Sequence, residues 1–96
     1  MGVYLLQGAG PSTTGVAEDV RSVSMNVIRV RIDAIGSFAG SAVIIEHSPD
    51  GGTTWIQMVT LTTGQEFSAE APFDLIRART DSSLTGNATV VMEVSG

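Results

Sequence analysis

The stretch Ser48-Pro49-Asp50-Gly51-Gly52-Thr53-Thr54-Trp55, set within Glu46–Met58 (EHSPDGGTTWIQM), decides how this 96-residue chain is read. Pro49 has a fixed φ that suits the first central position of a turn. The Asp50 carboxylate can accept N–H bonds from the backbone two residues on. Gly51 and Gly52 reach positive φ at no steric cost, as a tight reversal requires. Thr53, Thr54 and Trp55 then restart an extended strand with residues that favour one. Ser48, Asp50, Gly51, Gly52 and Trp55 are therefore assigned structural roles in a hairpin turn, and Trp55 is expected to anchor the core beside it.

Working outward, strands and turns account for the whole chain. Ala42–His47 (AVIIEH) and Thr53–Leu61 (TTWIQMVTL) flank the turn. Upstream, Val23–Asp33 alternates: Ile28, Val30 and Ile32 share one face, and Val27, Arg29, Arg31 and Asp33 the other. A turn is expected over Gly36–Gly40, and Val16–Arg21 reads as a brief strand or a turn. Downstream follow a short polar strand suited to a sheet edge at Gln65–Glu70, a strand at Phe73–Thr80, a loop at Asp81–Asn87 and a last strand at Ala88–Val94. No segment has helical periodicity over ten residues. Seven to eight short strands with turns every eight to twelve residues predict an all-β fold. The expected form is a compact antiparallel β-sandwich, jelly-roll or immunoglobulin-like. Its predicted core is Ile28, Val30, Ile32, Val43, Ile45, Trp55, Ile76, Ala78, Val90 and Met92, with Met25 and Met58 filling gaps. Residues 1–15 are read as an N-terminal arm and loop, and residues 16–96 as the single sandwich domain.

The pattern S-x-D-x-G-x-T-W resembles the Asp-box of sialidase-type propellers, where the box recurs in several blades as a structural turn. A propeller needs at least four blades of about forty residues. This chain has room for roughly two, so the resemblance stops at the turn.

Composition narrows the function classes. Cysteine is absent, so disulfides and thiolate chemistry are excluded, and a cytoplasmic origin or an oligomer is favoured. The net charge of −5 and the absence of lysine argue against a nucleic-acid binder held by phosphates. No apolar run approaches the roughly 20 residues of a membrane span, and the start lacks the pattern of a signal peptide or a myristoylation site. An apolar fraction of 43 % against 16 % charged residues suggests that part of the surface is covered by a partner or by further copies.

No catalytic constellation is visible. The carboxylates lie at turns and polar strand positions, and His47, the single histidine, has no cysteine or second histidine to join in a metal site. No cofactor is expected; the weak candidate for a cation ligand is Asp50 with neighbouring carbonyls. The two R-x-R pairs, Arg29/Arg31 and Arg77/Arg79, would form one stripe of four guanidiniums if their strands were neighbours. They serve either cross-strand Arg–Glu ladders within one chain or ion pairs across an interface. Phe38, in a glycine-rich stretch, is expected to be exposed.

From Ser24 to Val94 the layout resembles small β-sandwich structural proteins of tailed bacteriophages. The segments that carry the resemblance are Val43–Trp55, Pro72–Arg79 with its R-A-R ending, and Ala88–Val94 (ATVVMEV). It implies a non-enzymatic virion protein made in the bacterial cytoplasm, a capsid cement or decoration protein on the capsid surface. Its implied partners are the major capsid protein and itself, as a homotrimer, with no nucleic acid and no membrane. The implied interface residues are Val3, Tyr4, Leu5 and Leu6 of the arm, with Arg29, Arg31, Arg77 and Arg79. The alternative is a carbohydrate- or receptor-binding sandwich of a tail, spike or fibre, presenting aromatics such as Phe38 and Tyr4.

Overall fold

The computed structural model of the protein describes residues 2–20, 28–40, 42–71 and 74–95. Eight strands follow one another: β1 (Gly2–Ala9), β2 (Glu18–Asp19), β3 (Ile28–Ala39), β4 (Val43–Ser48), β5 (Ile56–Leu61), β6 (Glu66–Ala71), β7 (Leu75–Thr80) and β8 (Thr85–Ser95). They form two four-stranded sheets with orders β1-β8-β3-β6 and β2-β7-β4-β5, every pairing antiparallel. The chain is an all-β sandwich.

The order has a simple origin. β4 pairs with β5, β3 with β6, β2 with β7 and β1 with β8. The chain is thus a single long hairpin of strand pairs, rolled so that successive pairs fall alternately into the two sheets. This is the eight-stranded jelly roll, which decides between the two sandwich types expected. The β4–β5 turn is the fold-back point and the one connection that stays within its own sheet; each of the others crosses from one sheet to the other.

Alternation sets the core. Val30, Ile32 and Ala34 of β3 face inward opposite Val94, Met92 and Val90 of β8. Val43 and Ile45 of β4 face inward opposite Thr80 and Ala78 of β7. Eight of the predicted core residues, Val30, Ile32, Val43, Ile45, Ile76, Ala78, Val90 and Met92, are fully enclosed, and Met58 packs against them from its partly buried site. The predicted edge at Gln65–Glu70 is β6, an outer strand of its sheet. The expectations for Met25, for the start of the Val23–Asp33 strand and for the side chain of Ile28 lie outside the described residues.

Four readings are corrected. Residues 1–15 do not form a separate arm. Gly2–Ala9 is an edge strand paired to β8, with Leu5 and Leu6 buried in the core, because the register shift between Tyr4 and Leu6 lets both neighbouring leucines face inward. Residues 12–15 then lie along β7, through Thr80 N–H to Thr13 O at 2.7 Å and Gly15 N–H to Ala78 O at 2.9 Å. Gly36 does not open a turn; β3 continues through it to Ala39. Its φ of +110° and the nearness of Asn87 O, 2.8 Å from where a Cβ would stand, mark a close approach of β3 to β8. Phe38, two residues on, points inward and is 8 % exposed. Trp55 lies outside the core, for a reason that belongs to the site below.

Candidate functional site

The turn behaves as its residues dictate. Ser48 is completely buried; its Oγ donates to Asp50 Oδ1 at 2.9 Å and accepts from Gly52 N–H at 2.8 Å. Thr54 N–H donates to the same Asp50 oxygen at 2.8 Å. The reversal uses positive φ at both Gly51 (76°) and Gly52 (101°). The Thr54 backbone bond, followed by the Ser48 hydroxyl, holds the Asp50 carboxyl below its ordinary value. Asp50 Oδ1 is engaged in closing the turn, and among the described residues no three His, Asp or Glu side chains gather to hold a metal ion.

The two R-x-R pairs do not form one stripe. Arg29 and Arg31 are on β3 and Arg77 and Arg79 on β7, so they belong to different sheets. Each pair instead meets carboxylates of its own sheet, the intrachain ladder weighed from the sequence. Arg29 Nε donates to Glu70 Oε2 at 2.8 Å across the β3–β6 ladder, and Arg31 reaches Glu66 at 3.1 Å and Asp33 at 3.7 Å. On the second sheet both guanidiniums converge on one carboxylate. Arg77 Nε meets Glu46 Oε1 at 2.9 Å, and Arg79 Nε meets Glu46 Oε2 at 3.1 Å.

Glu46 is the residue that sequence reasoning missed. It sits on the outer face of β4, yet only 7 % of it is exposed. β4 runs between β7 and β5, and the long arginine stems from β7 lie over it. Trp55 explains itself here: its ring faces the Arg77 guanidinium, 4.0 Å from the centroid. The tryptophan that was expected inside the core packs a cation on the outer surface instead. Burial pushes the Glu46 carboxyl up, but hydrogen bonds from Arg77 and Arg79, with their charges, outweigh it and leave the pKa below the ordinary 4.5. The available signal was a single acid within a β-branched run, two residues from Ile44 and so on the same face.

The arm residues divide by side. Leu5 and Leu6 are buried, Val3 packs against the core from a half-buried site, and Tyr4 is 58 % exposed. β1 and the segment that crosses to β2 border an open groove of about 520 Å³, lined by residues between Tyr4 and Val16. The two walls touch at Gly15, where a Cβ would stand 2.1 Å from Leu5 O; no other residue fits. Thr80, 3 % exposed, fastens the loop from below, donating through Oγ1 to Gly10 O at 2.6 Å and accepting from Thr13 N–H at 2.9 Å.

Among the described residues the surface therefore offers exposed apolar side chains, and arginines that are paired within their own chain. Among the described residues no buried side-chain nitrogen or oxygen lacks a hydrogen-bond partner. No protein-family model, curated protein or solved structure matches the chain.

Proposed function

We propose that the protein is a non-enzymatic structural component of a tailed-bacteriophage virion. In this reading it is a capsid cement or decoration protein that binds the major capsid protein as a homotrimer on the capsid surface. One observation carries the proposal. Among the described residues, Arg29, Arg31, Arg77 and Arg79 end on carboxylates of their own chain, while Tyr4, Val16, Ile35 and Ile56 stay exposed. Such a surface is suited to burial against protein rather than to acting on a small substrate. The segments Val43–Trp55 and Ala88–Val94, which resemble phage sandwich proteins, add weight. So does the jelly roll, a fold used in viral shells and in lectins, although a fold alone sets no function.

The alternative, a glycan- or receptor-binding module, relied on Phe38 and Tyr4 as exposed rings. Burial of Phe38 removes one of the two.

The test is addition of the purified protein to capsids that lack it. Saturable density on the shell and a higher shell melting temperature are expected. Capsids that gain neither density nor thermal stability would sink the proposal.

A further inference from the structure

We infer that the face built from β1 and residues 10–17 is where copies of this chain meet one another. The inference rests on the homo-oligomeric part of the proposed function and gives it a location.

Charge is the first ground. The chain carries −5 overall, so two copies repel unless they meet where neither brings charge. Residues 2–17 contain no charged side chain, and no other stretch of the chain is as long without one. This stretch folds onto one side of the sandwich as β1 and the loop fastened to β7. A different protein with a basic surface would be drawn to the acidic remainder. A second copy, equally acidic, is the partner for which an uncharged face matters most.

Two of the other edges supply the contrast. β6, at the far edge of the same sheet, carries Glu66 and Glu70 with their arginine partners, and charge on an edge discourages pairing. β5 is uncharged but short, and a bulge at Met58 interrupts its pairing with β4. β1 also has register shifts, and Gly15 closes on it at Leu5, so the contact is apolar packing rather than extension of the sheet. Val16 is 80 % exposed at one wall of the groove and Tyr4 stands at the other, two large apolar groups that a second copy would cover.

The experiment is light scattering of the full chain across a dilution series, for the wild type and for Val16→Glu, Tyr4→Glu and Ile56→Glu. Val16 is too exposed for its replacement to disturb the core, and a melting curve checks that each variant is folded. The inference expects a wild-type oligomer that the two face variants weaken by roughly tenfold or more in dissociation constant. Ile56→Glu, on the β5 edge, should leave the mass curve unchanged. Folded Val16→Glu that assembles like the wild type overturns the inference, as does weakening by Ile56→Glu alone. A wild type that is monomeric at every concentration also overturns it. That last result would not touch the capsid reading, which is judged separately by shell binding.

Discussion

The two outer faces of the sandwich carry the same sequence device in different surroundings. On one, Arg29 and Glu70 meet with side chains 70 % and 52 % exposed; on the other, Arg77 and Glu46 meet at 24 % and 9 %. The spacing of the arginines is identical, as is the alternation that turns them outward. What differs is the strand that supplies the acid. Glu70 is on β6, an edge, with water on its open side; Glu46 is on β4, with β7 and β5 on either side and two guanidiniums above. Position within the sheet, rather than residue type, decides whether an ion pair is a solvated ornament or part of the packing.

The largest test of that contrast is Glu46→Ala. It leaves two guanidiniums facing each other over β4 without their shared carboxylate. Loss of one partner from a buried pair predicts destabilisation of about 2–4 kcal/mol, read by urea unfolding. A loss no greater than that of Glu70→Ala would break the comparison. Next comes Trp55→Ala, which removes the ring facing Arg77 and should cost about 1–2 kcal/mol. Measured in the Glu46→Ala background, the same change should cost a different amount, because the two share Arg77.

Acid sharpens the comparison further. The Glu46 carboxyl titrates lower in the folded chain than its ordinary 4.5, so the unfolded chain binds the proton first. The stability it contributes is present above that value and is lost as pH falls through the folded pKa. Asp50 and Asp81, both held below 3.8, act with the same sign at lower pH; for Asp81 the cause is the Ser83 hydroxyl, then the Ser83 N–H. Unfolding free energy measured from pH 6 to pH 2 should therefore fall below about pH 4.5, and Glu46→Gln should flatten the first part of that fall. The smallest effect belongs to Glu70→Ala, expected within about 0.5 kcal/mol of the wild type and smaller still in high salt.

Much of this was legible in the chain. Val43 and Ile45, Ile76 and Ala78, Val90 and Met92 could be assigned inward by alternation alone, since a period of two is a local property. The turn at Ser48–Trp55 could be built from its residues because each bond in it is made within four positions. What could not be read was whatever depends on which strands become neighbours. Glu46 is buried only because β7 brings two arginines beside it, from 31 and 33 positions away in sequence. Trp55 was assigned to the core by size; its place follows from Arg77, which no local rule pairs with it. Gly36 reads as punctuation in the sequence, whereas in the fold it lets β8 come close. The leucines of β1 read as an arm because the bulge between Tyr4 and Leu6 that turns both inward has no signature in GVYLLQGA.

The position of β8 has a consequence for how the protein is made. It lies between β1 and β3 in its sheet, and it is the last of the eight strands to be synthesised. The β4–β5 hairpin, whose strands are neighbours in sequence, can close well before β8 has been made. β1, translated first, must wait for Thr85–Ser95 to leave the exit tunnel before it has a neighbour to pair with. Until then Leu5 and Leu6 have no β8 to pack beside, so two apolar side chains that the finished fold buries stay open to water for as long as the chain lacks its eighth strand.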